Sequence, residues 1–249
     1  SCTASRTLAE GKESGKCARL LWHKLHHSNY EKYPRLGIEL HFLSTYNYLK
    51  SKMGFTLIKG TFHVKGYSPD GDSVKFKART KANWLKVRGN VKLNSKSHAQ
   101  LRFEAIDTLE THYGRRHQPD QFAHGAMHSL LNELGITGVK WNSNMTRVTQ
   151  ANDGTKGYIL CREAERYGRP VAFAFKGDTD LVDGSSVWFD ETLLKQSMNY
   201  HLVDEGMAYV TYYTGLFDDL RCAMTVGYIS AKCGKKGIHA QDKTESGFI

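Results

Sequence analysis

Along Leu101-Arg102-Phe103-Glu104-Ala105-Ile106, apolar side chains alternate with charged ones until the run stops at Asp107-Thr108-Leu109-Glu110-Thr111. Alternation of this kind belongs to a strand with one face in a core and the other face polar. The fold must therefore cover Leu101, Phe103 and Ala105 while gathering a guanidinium, two acidic groups and a hydroxyl at one strand end. Two further fragments carry similar chemistry: Asp70-Gly71-Asp72-Ser73-Val74 upstream and Arg166-Tyr167-Gly168-Arg169 downstream. Carboxylates suit a hard cation, a carboxylate can activate water, and arginines can hold a phosphate.

The surrounding pattern says what such a strand belongs to. From Phe55 the chain is β-like, with strands expected at Phe55-Thr56-Leu57-Ile58, at Thr61-Phe62-His63-Val64 and at Ser73-Val74-Lys75-Phe76-Lys77, after turn chemistry at Pro69-Asp70-Gly71. A long connection, about 78 to 99, leads to the alternating run. A helix follows, with Pro119 in its first turn, Ala123, Met127, Leu130, Leu131 and Leu134 at helical spacing and Gly135 as its stop. Tyr158-Ile159-Leu160 and Val171-Ala172-Phe173-Ala174-Phe175 flank a turn at Tyr167-Gly168. Asp190 caps a second helix with Leu194, Met198 and Leu202 on one face and Gly206 at its end, and Leu216 to Cys233 forms the last. Short strands, a hairpin and helices in this order predict an α+β fold, a five-stranded OB-type β-barrel with about three packed helices over residues 55–249. Residues 1–54 read as a partly helical N-terminal extension. No internal repeat or low-complexity tract is present.

Charge narrows the partner. The chain of 249 residues carries 35 Lys and Arg against 25 Asp and Glu, with an isoelectric point near 9.3, which favours a polyanion. The excess is concentrated between Lys75 and Lys96, where Lys75, Lys77, Arg79, Lys81, Lys86, Arg88, Lys92 and Lys96 accumulate without an acid. That stretch reads either as the solvated face of a twisted β-ribbon or as a contact surface. No apolar run nears the roughly 20 residues of a membrane span. Five cysteines without a C-x-x-C pair indicate neither a zinc site nor a full disulfide framework, and Cys222 and Cys233 are too far apart to bridge within one helix. Free thiols are the expectation. His23, His26 and His27 crowd one helical turn, as an exposed basic helix or, with no acidic or cysteine partner at ligand spacing, a weaker metal candidate. The opening Ser1-Cys2-Thr3-Ala4-Ser5 is compatible with a removed signal or anchor, which favours a secreted or periplasmic location and leaves a protein partner open for the extension.

Order and spacing of the three fragments make residues of about 60–242 resemble the staphylococcal nuclease (thermonuclease) family. In that family an Asp-Gly-Asp-Thr motif opens the second strand, and its match is Asp70-Gly71-Asp72 with Ser73 in place of Thr. Arg, four residues and Asp-Thr-Pro-Glu-Thr match Arg102 and Asp107-Thr108-Leu109-Glu110-Thr111, where Leu109 replaces the usual Pro. Asp-Lys-Tyr-Gly-Arg matches Glu165-Arg166-Tyr167-Gly168-Arg169. Leu202-Val203-Asp204-Glu205-Gly206-Met207-Ala208 is similar to the family's helix exit, with Tyr212 at the substrate-stacking position. The connections at 78–99 and 176–189 are longer than typical, and residues 1–54 have no counterpart.

The resemblance implies a Ca²⁺-dependent nuclease that cleaves DNA and RNA at the 5′ P–O bond and leaves 3′-phosphate ends. It implies Asp72, Asp107 and the Thr108 carbonyl as Ca²⁺ ligands, Glu110 as general base, Arg102 and Arg169 as phosphate-binding catalytic groups, and Arg166, Tyr167 and Tyr212 as substrate contacts. Two other readings stand beside it: a non-catalytic OB module that binds single strands by stacking on Tyr167 and Tyr212, and an interaction scaffold.

Overall fold

The computed structural model describes residues 54–110, 120–212 and 215–241. The expected N-terminal extension with its histidine trio, and Pro119 of the first helix, lie outside them.

β1 (Phe55–His63) is one continuous strand where the sequence suggested two. Gly60 permits this, because a Cβ there would overlap the Lys77 carbonyl and the Phe76 ring. β1 pairs antiparallel with β2 (Lys75–Ala78) and with β8 (Thr155–Ala164), and β8 continues into β9 (Pro170–Lys176). β3 (Ala99–Gln100) lies beside β2, whereas β4 (Arg102–Phe103) lies parallel to β9. The strand order β3-β2-β1-β8-β9-β4 thus begins and ends with two strands separated in the chain by Leu101 alone. A sheet whose two ends are covalent neighbours must curl, and the result is a nearly closed, barrel-like layer. The described fold is mixed α+β with seven strands in that sheet, counting β10 (Ser186–Val187), which adds to β1. β5 (Ile106–Asp107) pairs with β11 (Tyr209–Val210), and β6 (Thr137–Trp141) with β7 (Val148–Asn152).

Both faces of the central strands are covered: the register sets Phe62, Phe76, Phe103 and Ile159 on one face and Leu57, Phe173 and Phe175 on the other, and all are buried. Four α-helices close its ends and flank among the described residues: α1 (Asp120–Glu133), α2 (Glu191–Leu194), α3 (Met198–Asp204) and α4 (Asp218–Cys233). In α1 the side chains of Ala123, Met127, Leu130, Leu131 and Leu134 are buried as their spacing predicts, and Gly135 follows with φ +73. The single helix expected from Asp190 to Gly206 is instead two. Asp190 caps α2 by accepting from Leu193 N at 2.9 Å, and Ser197 caps α3 afresh by accepting from Tyr200 N at 3.1 Å. The break brings Asn199 into the core. Its Oδ1 accepts from Ala174 N at 3.1 Å and its Nδ2 donates to the carbonyls of Glu104 and Ala172 at 2.8 and 3.1 Å, tying α3 to the β4–β9 seam.

Several expectations are corrected. The stretch 78–99 is not a ribbon. It holds a 3-10 helix, η1 (Lys81–Lys86), and turns with single bridges at Arg88–Glu163 and Leu93–Ala99, pinned inward by buried Trp84 and Val87. The β6–β7 hairpin was not anticipated, because its side chains are mostly exposed or half-buried and leave no apolar alternation. Cys161 keeps a free thiol buried in β8, while Cys222 is disulfide-bonded; helix geometry excluded only a bridge to Cys233. Among the described residues no helix is long and apolar enough to cross a membrane.

Candidate functional site

The Asp70–Ser73 segment is a tight turn. Asp70 N donates to Ser73 O (3.1 Å), Ser73 N to Asp70 O (3.4 Å), and Gly71 N to Asp70 Oδ1 (2.8 Å). Gly71 is required by contact rather than by dihedral: a Cβ there would lie 2.7 Å from Ala126 Cβ and 2.8 Å from Thr108 Oγ1. The turn therefore rests directly on Thr108 and on α1. Phe103 N donates to Asp72 O at 2.9 Å, which fastens the turn to β4 beside Arg102.

Arg102 stands between two carboxylates. Its Nη1 is 3.7 Å from Asp72 Oδ2 and its Nη2 3.3 Å from Asp107 Oδ1. Asp107 reaches it because the alternating run is not one strand. The chain turns at Glu104-Ala105, where Ala105 takes φ +67, and re-pairs as β5 with Asp107 opposite Tyr209. Thr211 N donates to Ala105 O at 3.0 Å and holds that turn. A left-handed alanine costs about 1–2 kcal/mol, strain placed between Arg102 and its acidic partner.

The third fragment arrives through the β8–β9 hairpin. Gly168 takes φ +84 at its tip, with Asn90 and Lys92 packed where a Cβ would go. Parallel pairing sets Val171 opposite Arg102, so Arg169 enters close enough to act electrostatically on Asp72. Glu165 fixes Arg169 by accepting from its Nε at 3.2 Å and its N at 3.1 Å, and it also accepts from Tyr167 N at 3.0 Å. Glu165 and Asp70 are positioning groups that sequence reasoning gave no role. Their proximity in the chain to Arg169 and Asp72 was the available signal. Arg166 stacks on the exposed Tyr167 ring at 4.6 Å. Tyr212 differs: its ring is half-buried, and its hydroxyl is tied to α4 by a bond to Arg221 O (3.0 Å) and contact with Thr225 Oγ1 (2.7 Å). The structure thus gathers Asp72, Arg102, Asp107, Thr108, Glu110 and Arg169, and leaves Arg166 and Tyr167 on the outer side of the hairpin.

Charge in this cluster is crowded. Burial pushes the Asp72 carboxyl up to about 6, against Arg102 and with help from Asp70 and Asp107. Glu110 is pushed up to about 7 by burial, by its hydrogen bond with Asp70, and by the charges of Asp70, Asp72 and Asp107. Carboxyls whose folded values are raised favour folding most while protonated, and that contribution is lost as pH climbs through the folded values. Stability should therefore fall between about pH 4 and 7, with Asp72 alone worth about 3 kcal/mol across it. Asp72→Asn is expected to flatten this fall and raise the melting temperature above neutral pH, Arg102 retaining Asp107 as a partner. Thermal melts of both proteins across that range are the check; parallel slopes would remove the assignment of strain to Asp72.

The oxygens of Asp72 and Asp107 and the carbonyl of Thr108 are donors suited to a hard cation, and the buried carboxylate of Asp72 gains from any added positive charge. No group of three His, Cys, Asp or Glu side chains among the described residues forms a ready-made cage. The expected set has two carboxylates and does not need one. No protein-family model matches the chain, and a search of curated proteins finds no match.

Proposed function

We propose that the protein is a phosphodiesterase acting on DNA and RNA, with an OB-type barrel as scaffold and a Ca²⁺-dependent mechanism of the thermonuclease kind. The observation that carries this reading is the convergence of two arginines and three carboxyl groups from three separate fragments at the β4–β9 seam. A carboxyl raised toward neutrality, as Glu110 is, suits a base for water.

In this reading Asp72 and Asp107 with the Thr108 carbonyl would hold Ca²⁺, which would supply positive charge to offset that of the phosphate. Glu110, tuned toward 7, accepts the proton of the attacking water. Arg102 and Arg169 present N–H forks to the non-bridging oxygens, whose charge grows in the transition state. The water oxygen bonds to phosphorus as the 5′ P–O bond breaks; the departing 5′ oxygen takes a proton from solvent to leave as a hydroxyl, and the phosphate stays on the 3′ end of the other product. Glu165 keeps the Arg169 fork aimed, and Asp70 keeps Glu110 partly protonated until substrate and cation arrive.

Gel assays with plasmid, single-stranded DNA and RNA in Ca²⁺, Mg²⁺ or EDTA test the proposal. Cleavage is expected in Ca²⁺, poorly in Mg²⁺ because that ion demands tighter octahedral geometry, and not in EDTA. Full cleavage in EDTA, or binding without any product in Ca²⁺, would overturn it; the second outcome would favour a strand-binding module.

A further inference from the structure

A cleft of about 740 Å³, lined by none of the residues of the carboxylate cluster, lies between the end of β1 and the β6–β7 hairpin. Its rim carries the exposed cations Lys65, Lys96 and Arg147, and its floor carries His63 and His98 with rings stacked at 4.2 Å. The hairpin is fixed to this rim by Gly66 N donating to Val148 O (2.8 Å), by Val148 N donating to Tyr67 O (2.9 Å), and by Arg147 Nε donating to the Gly66 carbonyl (3.1 Å). The guanidinium is therefore held in place rather than loose on the surface. The carboxylate in the lining, Asp153, is already committed: it accepts from Val64 N and Lys65 N and contacts His63 Nδ1 at 3.0 Å. His98 Nδ1 is engaged by the Tyr67 hydroxyl at 3.1 Å.

We propose that this cleft is a second phosphate-binding subsite, in which Lys65, Lys96 and Arg147 take the oxyanion of a phosphate mono- or diester. Three converging cations with no uncommitted acid leave a positive potential that a phosphate neutralises, and a fixed guanidinium presents paired donors to it. The local field agrees. Burial first, then His63, Lys77 and Lys96, push His98 down to about 4, so an imidazole even this close to Asp153 stays neutral. A cation is disfavoured in the same space, because three of the four ring nitrogens, both of His63 and Nδ1 of His98, already face Thr61, Asp153 and Tyr67.

The phosphate could be free or part of a strand. The strand source is favoured by position and rests on the nuclease reading. His98 immediately precedes β3 and Arg102 opens β4, four residues apart along the chain. That is roughly 13 Å, which a few nucleotides of backbone span.

The test uses the full chain in EDTA and follows the ring signals of His63 and His98 by NMR during titration with inorganic phosphate and, separately, with a short oligothymidylate. Both rings should shift saturably, and Lys65→Glu/Lys96→Glu, which changes only exposed side chains, should weaken the phosphate response about tenfold or more. For the oligothymidylate the variant should also lower the salt slope of binding by about one to two. A saturable shift with neither probe, or a phosphate response unchanged in the variant, overturns the subsite. Phosphate binding without competition from oligothymidylate would overturn the strand source and keep the free-oxyanion site. Normal responses from both probes, joined to unimpaired turnover in Glu110→Gln, would remove the nuclease reading alone.

Discussion

Glu110→Gln is expected to lower turnover on single-stranded DNA and on RNA by about 10²–10⁴-fold, the usual contribution of a positioned base. The side chain keeps its length and can still hydrogen-bond Asp70, so geometry survives and only proton acceptance is lost. Its effect on folding has the opposite sign. Asp70, Asp72 and Asp107 all raise the Glu110 carboxyl, and removing one acid from that group should hold or raise the melting temperature. Wild-type turnover under subsaturating Ca²⁺ should climb as pH passes through neutrality, and the residual rate of the variant should lack that climb. Turnover within a few-fold of wild type, with the pH response intact, would place the base elsewhere.

Arg169→Ala should cost about 10²–10³ in rate, the larger part in kcat because the fork meets charge that grows in the transition state. Some loss of substrate affinity should accompany it, since the ground-state phosphate is already charged. Arg169→Lys should recover little, because a point charge cannot reproduce two parallel N–H bonds. The hairpin itself should persist: Glu165 retains its bonds from the backbone N–H groups of Tyr167 and residue 169, and a half-exposed ion pair contributes about 0–1 kcal/mol. Arg166→Ala is the internal control. Its guanidinium lies on the exposed Tyr167 ring, so as an expected substrate contact it should raise KM at most, and kcat should barely change. Equal loss in both variants would mean that general positive charge at the hairpin, not the Arg169 fork, is what matters.

How far the sequence could lead depended on whether the signal was local. Strand alternation at Leu101 and Phe103, the turn at Asp70-Gly71 and the tip at Gly168 are written in adjacent residues, and all appear in the structure. The coarse α+β barrel followed from them. What failed was decided at a distance. Nothing near Ala105 says that the strand must break there, because the cause is Thr211 and Tyr209 pairing from more than a hundred residues away. Ser197 looks like any polar helix residue until Asn199 is required at the β4–β9 seam. The 78–99 connection was misjudged for the same reason: Trp84 and Val87 are anchored by the core, not by their neighbours. Site chemistry was more legible than site geometry. Asp72, Arg102 and Asp107 were identifiable by type and order, but the shared Arg102 bridge and the roles of Asp70 and Glu165 needed coordinates.

Leu101 separates the first and last strands of the curled sheet by a single residue. Arg102 can meet Val171 and its neighbour Arg169 only after the intervening strands have paired and rolled up. Such sequence-distant pairing carries the loop-closure cost that slows folding. The six gathered residues are consequently a late product of the folding reaction: a partly folded chain with β1, β2, β8 and β9 already paired would still lack them. A site built this way is absent along the folding route and is assembled only when the seam shuts.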